Sequence, residues 1–252
     1  MVTLKALVDY TDSLLSVGQF NDYCPNGLQV EGRPEVRRLV SGVTASLELV
    51  EAAIAAGADA LLVHHGYFWK GENSCITGMK RQRLQRLLGT GTSLLAYHLP
   101  LDAHPELGNN ARFGQLLGIT EREALQPEDP SSVGNVGSLP EAVTAGELGA
   151  RLESLTGRAA LHIGDAQEKI SRLAWCTGAA QSYIEAAVAA GADAFITGEA
   201  SEQTVHIARE EGIHFFAAGH HATERYGVQA LGEHLARTFS VEHRYIDIDN
   251  PV

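Results

Sequence analysis

The feature that most constrains this chain is an internal repeat. Glu51-Ala-Ala-Ile-Ala-Ala-Gly-Ala-Asp-Ala60 recurs as Glu185-Ala-Ala-Val-Ala-Ala-Gly-Ala-Asp-Ala194, identical at nine of ten positions. The offset is 134 residues in a chain of 252, and Arg38-Leu39 recurs at the same offset as Arg172-Leu173. Alanine-rich helices can match by chance. Here both copies also leave through Gly-Ala-Asp-Ala into an apolar run, Leu61-Leu62-Val63 in one and Phe195-Ile196 in the other. Two copies of one strand–helix–strand–helix–strand unit follow from this. Alternating strands and helices imply α/β architecture with a largely parallel or mixed sheet.

The local signals agree with that reading. Leu4, Leu7, Val8, Thr11, Leu14 and Leu15 are spaced for an amphipathic helix opening at Thr3. A turn-rich loop at 21–27 precedes a short strand at 28–30 and a longer one at 37–43. Ser46 is a natural N-cap for a helix over 47–56, which Gly57 closes. A buried strand then runs into His64. Residues 66–78 read as a loop whose Tyr67, Phe68 and Trp69 either pack over the core or wall a pocket. A basic helix at 80–88, a strand at 93–97 and a helix at 109–117 complete the first copy. Residues 127–139, rich in Pro, Ser and Gly, mark the expected boundary, so the copies span 1–127 and 128–252. In the second copy we expect a helix at 145–155 and strands at 159–163 and 170–176. Ser182 and Glu185 are spaced as a capping box for the next helix. A strand at 194–197, a helix at 202–211, a strand at 214–217, a helix from about 222 to 237 and a strand at 241–248 finish the chain.

Composition narrows the function. A formal net charge of -12 argues against non-specific nucleic-acid binding, which depends on Lys and Arg neutralising phosphates. The three cysteines, Cys24, Cys75 and Cys176, are far apart and form no CxxC pair, which fits reduced thiols in a cytoplasmic protein. No signal peptide and no membrane-length apolar run are visible.

The strand ends carry the candidate chemistry. In open α/β sheets, ligands gather at the carboxyl ends of strands. One strand ends in His64-His65-Gly66, where the other copy has Gly198-Glu199. The next strands end in Tyr97-His98…Asp102 and in Gly219-His220-His221…Glu224. His220 and Glu224 are four apart, which on a helix puts both on one face, while His221 points elsewhere. Asp102 has two oxygens with which to bridge two ions. The set His64, His65, Asp102, His220 and Glu224 suits Zn, Fe, Mn, Ni or Co better than Ca. Five ligands exceed the three that usually hold one catalytic zinc, so two ions sharing a bridging water are expected. Each piece also has an ordinary reading: an exposed ion pair at His220 and Glu224, a turn cap at Asp102, a polar loop opening at His64-His65. The combination favours a site. Glu199 is a candidate general base or ligand-orienting group, and equally a helix-start residue. His98 either orients a ligand through its second nitrogen or makes a core hydrogen bond. His206, four after Glu202, reads as a solvated helix position. Cys24 beside Pro25 reads as structural. No GxGxxG, P-loop or Gly-x-Ser-x-Gly motif is present.

Asn21-Asp22…Asn26-Gly27-Leu28-Gln29-Val30, Val63-His64-His65-Gly66, His98-Leu99-Pro100-Leu101-Asp102, Thr197-Gly198-Glu199 and Gly219-His220-His221-Ala222-Thr223-Glu224 occur in that order. The chain closely resembles the Nif-three-like family of dinuclear metal-centre proteins, whose bacterial members carry the name GTP cyclohydrolase I type 2. The resemblance covers nearly the whole chain. It implies two intertwined α/β repeats with layered αβα architecture and mixed sheets. It implies a toroidal homohexamer, a trimer of dimers, with two divalent ions per subunit (Fe, Mn, Zn or Ni). Carried over by motif, the ligands are His64, His65, Asp102, His220 and Glu224. The leading functional expectation is a metal-dependent hydrolase of a small polar or nucleotide-like substrate, with Glu199 or His98 as proton carrier. The alternatives are a non-catalytic metal-handling or insertion protein and a ring-shaped adaptor.

Overall fold

The computed structural model describes residues 1–119, 121–129 and 132–252. Pro130 and Ser131, part of the boundary expected at 127–139, lie outside the described residues. In chain order the elements are β1 (Val2–Thr3), α1 (Leu4–Leu14), β2 (Gly27–Val30), β3 (Glu35–Val36), β4 (Arg38–Thr44), α2 (Leu47–Ala55), β5 (Ala60–His65), α3 (Gly78–Thr90), β6 (Ser93–Ala96) and α4 (Leu99–Ala103). There follow α5 (Asn109–Leu116), β7 (Arg122–Ala124), β8 (Asn135–Thr144), α6 (Ala145–Thr156), β9 (Leu161–Ile163), β10 (Lys169–Trp175), α7 (Ile184–Ala189) and β11 (Ala194–Thr197). The last are α8 (Glu202–Glu211), β12 (His214–Ala217), α9 (His220–Thr223), α10 (Arg225–Phe239) and β13 (Glu242–Tyr245).

The chain forms two compact units, Met1–Gly108 with Gly227–Asp249, and Asn109–Tyr226 with Asn250–Val252. In the first, the described residues form a sheet of order β13-β4-β5-β6-β2. Strands β13, β4, β5 and β6 are parallel and β2 is antiparallel. In the second, the order is β7-β8-β10-β11-β12-β9. There β10, β11 and β12 are parallel, and β7, β8 and β9 join in antiparallel pairs. The repeated unit is therefore β4-α2-β5-α3-β6 in one and β10-α7-β11-α8-β12 in the other, and both sheets are mixed.

Burial on both faces explains the unbroken apolar run of β5. Leu39, Val43, Leu62 and Leu95 pack with Leu4 and Leu7 of α1 and Val228, Leu231 and Leu235 of α10. Val40, Leu61, Val63 and Leu94 pack with Leu49 and Val50 of α2 and Leu84 and Leu87 of α3. Helices thus cover both faces of this sheet. Each fully buried Leu or Val contributes about 1.5–3 kcal/mol relative to exposure. The second unit repeats the device on one face with Phe113, Leu148, Leu152, Leu173, Trp175, Ile196 and Phe216.

The repeated aspartate has a physical role in each copy. Asp59 Oδ2 accepts the backbone N–H groups of Arg37 and Arg38, at 2.9 and 3.0 Å. Asp193 Oδ2 accepts those of Ser171 and Arg172, both at 2.8 Å. Each carboxylate ties the start of its own strand to the neighbouring strand. That is the reason for the shared Gly-Ala-Asp-Ala exit.

The elements differ from the sequence expectations at several places. The repeat copies expected at 1–127 and 128–252, as intertwined halves, each supply segments to both compact units. Phe113, Leu117 and Ile119 belong to the second core, and β13 pairs with β4 of the first unit. Residues 135–139, expected in a loop, open the long strand β8. Its Pro140 sits where the register with β10 shifts between Ile170 and Arg172, a bulge in which a missing N–H costs little. Ser182 lies in a single 3-10 turn, Gln181–Tyr183, ahead of α7, and so does not cap it. The capping box is instead at Thr144 and Glu147, before α6. The helix expected from about residue 222 is two pieces, α9 and α10, broken at Glu224 (φ -104, ψ 6). The helix α4 has no counterpart among the expected elements; Pro100 suits its first turn.

Candidate metal centre

The first group of candidate side chains collects where β5 and β6 end. His64 is fully buried, and its Nδ1–H donates to the carbonyl oxygen of Tyr97 at 2.9 Å. In the neutral ring this leaves the lone pair on Nε2, the state a metal ligand needs. That Nε2 lies 3.5 Å from Asp102 Oδ1, on α4. The His65 ring turns beside that of His64, with centroids 4.5 Å apart, and its Nδ1 is 3.2 Å from Thr44 Oγ1. Alternating strand side chains would separate these two rings; His65 is the last residue of β5, and they come together at its end.

His98 joins this group. One nitrogen each from His64, His65 and His98 lie within 4.8 Å of one another. His98 is held from behind. Its Nδ1–H donates to Asp22 Oδ1 at 2.7 Å and its backbone N–H to Asn26 Oδ1 at 2.7 Å. Asp22 also accepts from the N–H groups of Tyr23 and Leu99 and from the Asn26 amide. Burial pushes the Asp22 carboxyl pKa up, but these donors, His98 first, outweigh it and bring the value to about 2. Trp69 meets the His98 ring edge-on, centroids 5.1 Å apart. The aromatic triplet therefore divides its tasks. Tyr67 packs in the core and donates its hydroxyl to Ala45 O, while Trp69 lines the histidine cluster. Trp69 thus follows the pocket-wall alternative, while Asp22 and Asn26 are signalled only by the turn-rich run 21–27 and the family motif that contains it.

The second group collects after β11 and β12. Gly219, at φ 101, makes the turn into α9. His220 Nε2 is 3.1 Å from Glu224 Oε2, and its Nδ1 is 2.6 Å from Glu199 Oε1. Burial lowers the His220 pKa, but Glu224 and then Glu199 overcome it and raise the value to about 9. Giving up the Nε2 proton makes that nitrogen a ligand while Glu199 keeps Nδ1–H, the usual second contact of a metal-binding histidine. Two glycines make room. A Cβ on Gly178 (φ +75) would overlap the Glu224 carboxylate, and one on Gly198 would overlap the His220 backbone. The alternative reading of His220 and Glu224 as an exposed ion pair does not hold, since Glu224 is buried.

Of the remaining candidates, His206 stays apart from this chemistry, whereas the Cys24 sulfur lies within 4.8 Å of ligand atoms of Asp22 and His98. His206 and Glu202 are exposed and 3.9 Å apart. The Cys24 thiol is pushed up to about 12, by burial and then by Asp22, which removes it as a nucleophile. The donor chemistry of both groups fits divalent metal ions: imidazoles held through Nδ1, carboxylates beside them, and glycines leaving space.

The fold and these residues define a class: mixed α/β proteins with imidazole–carboxylate clusters at parallel strand ends that can hold metal ions. The family model of Duf34/NIF3 (NGG1p interacting factor 3) matches residues 2–251, and the chain belongs to that family. It is 56% identical over 250 residues, 99% of each chain, to a Pseudomonas aeruginosa protein named GTP cyclohydrolase 1 type 2 homolog. Among solved structures it is similar to one described as protein ybgI, of unknown function, with TM-score 0.95, 50% identity and full coverage of both chains. It is also similar to TTHA1606 from Thermus thermophilus, with TM-score 0.90, 32% identity and full coverage of both. No helix of the described residues is long and apolar enough to cross a membrane.

Proposed function

We propose that this chain is a metal-dependent hydrolase of a small polar or nucleotide-like molecule. Its cofactor would be two divalent ions per subunit, drawn from Fe, Mn, Zn and Ni, with His64, His65, Asp102, His220 and Glu224 as ligands. The observation that carries the reading is the setting of the His64 ring: a fully buried imidazole with Nδ1–H spent on a carbonyl and Nε2 3.5 Å from a carboxylate oxygen. When bound, such a pair of ions acidifies water and polarises a substrate oxygen. The chain's own residues prepare for this. Glu199 holds Nδ1–H of His220, and Asp22 holds Nδ1–H of His98. Proton transfer falls to Glu199 or to His98 Nε2, the nitrogen of His98 not committed to Asp22. The protein would work in the cytoplasm as a ring-shaped homohexamer, a trimer of dimers.

The test is protein loaded with Mn, Fe, Zn or Ni and assayed against GTP, phosphoesters and cyclic amides. Turnover that needs metal and disappears in His65→Ala supports the proposal; absence of metal-dependent turnover across the panel refutes it. Light scattering on the eluting protein checks the hexamer. One observation favours a non-catalytic metal-handling protein instead: both proton-transfer candidates are engaged, His98 with Asp22 and Glu199 with His220. Ready transfer of metal to an apo-enzyme, without turnover, would select that reading.

A further inference from the structure

The second unit carries another imidazole cluster, at the other end of β12 from His220. Strands β9 and β12 are antiparallel, with His162 opposite Phe216. Side chains two apart on a strand share a face, so His214 lies diagonal to His162 on the same face. His162 Nε2 and His214 Nδ1 are 3.1 Å apart. The other nitrogen of His214, Nε2, is 2.9 Å from Glu168 Oε2. The His162 ring stacks on Phe216, with centroids 4.3 Å apart and planes 6° from parallel.

We propose that His162 and His214 form a further binding site for a divalent transition metal, with Glu168 orienting His214. Two imidazole nitrogens bound at about 2.05 Å lie about 3.3 Å apart in tetrahedral geometry and about 2.9 Å apart when cis in a square arrangement. The observed separation falls between these values. Donation of His214 Nε2–H to Glu168 leaves the lone pair on Nδ1, the nitrogen on the His162 side, and an ion shared with His162 would sit off the line between the two nitrogens in the carboxylate–imidazole–metal arrangement. In the metal-free chain His162 Nε2–H donates to that lone pair. On binding, His162 changes tautomer, its proton passing through solvent from Nε2 to Nδ1, and both facing nitrogens become ligands. No electron moves, and neutral imidazoles release no net proton. Burial, then the neighbouring His214, lowers the His162 pKa, which favours this neutral state. Two imidazoles with water completing the shell select Cu(II), Ni(II) or Zn(II), and not Ca(II) or Mg(II). The stack on Phe216 holds the His162 ring in place for this, and half-exposed His162 leaves the cluster open to solvent.

The test is equilibrium dialysis of the full chain against Zn(II), with elemental analysis. It is run in the Glu224→Ala background as well, so that the cluster is counted separately from the proposed two-metal centre. His162→Phe, which keeps a ring on Phe216, should lose one equivalent of metal in both backgrounds, with an unchanged circular dichroism spectrum. Glu168→Gln alters an exposed side chain and should weaken that same equivalent by about 10- to 100-fold. Equal stoichiometry and affinity for His162→Phe and its parent would overturn the proposal, as would a Glu168→Gln binding curve that coincides with the parent's.

Discussion

Asp59→Ala tests why the repeat keeps an aspartate at the exit of its first helix. Asp59 Oδ2 accepts two backbone N–H groups, from Arg37 and Arg38, and Oδ1 accepts from the Arg33 guanidinium at 3.1 Å. Hydrogen bonds to a charged acceptor contribute about 1.5–3 kcal/mol each. Arg33 is 57% exposed, so its pair adds under about 1 kcal/mol. The Arg37 N–H can turn to water once the acceptor is gone. We therefore expect Asp59→Ala to lose about 2–3 kcal/mol, and Asp59→Asn, which keeps an oxygen, about 1 kcal/mol. The pH dependence has a defined sign. Burial raises the Asp59 pKa, but the Arg37 and Arg38 N–H groups and then Arg33 outweigh it, so the folded value lies below the ordinary 3.8. The charge then stabilises fully above the unfolded value and is lost as pH falls through the lower folded one. Urea denaturation at a series of pH values measures both effects. The wild-type advantage over Asp59→Asn should be constant from about pH 7 to 5 and shrink below about pH 4. An Asn variant as damaged as the Ala variant, or an advantage that persists unchanged at about pH 3, would refute the reasoning.

Three further outcomes are expected. Gly178→Ala forces a left-handed alanine at about 1–2 kcal/mol and displaces the Glu224 carboxylate. It should keep its far-ultraviolet circular dichroism and lose at least about tenfold in Mn or Zn affinity by calorimetry, because a ligand displaced from its geometry forfeits well over 1.4 kcal/mol. Asp22→Ala removes the buried acceptor of His98 and should cost about 3–5 kcal/mol in urea denaturation, more than Asp59→Ala, since it breaks a mostly buried imidazole–carboxylate pair along with the Leu99 N–H bond. Ellman's reagent should find one fast thiol in the native protein, Cys75, and three in urea, because Cys24 and Cys176 are buried; Cys75→Ser should abolish the fast phase.

Much of the candidate centre was legible because strands announce their own ends. The run Leu61-Leu62-Val63 breaks at His64, and the repeat points to the matching breaks at Gly198, His98 and His220. Legibility failed where a role depends on residues distant in sequence. Asp22 meets His98 across 76 positions, and no local pattern pairs them. Glu168 meets His214 across 46. Pro140 argues against a strand locally, yet a bulge against β10 accommodates it. Ser182 and Glu185 have the spacing of a capping box, but the helix starts one residue later than the box requires, at Ile184 with Tyr183 as its N-cap.

What the sequence determined by itself is the periodic part: the two copies, their strand–helix order, the buried strands and the family. These rest on interactions between near neighbours in the chain, which leave a period that can be read. Only the tertiary structure decided which histidine nitrogen faces a carboxylate, that Asp22 and Glu199 hold the outer nitrogens, and that Gly227–Asp249 completes the first unit. Those outcomes come from side chains brought together by packing, and the packing of a sheet's edges and faces is a property of the whole chain.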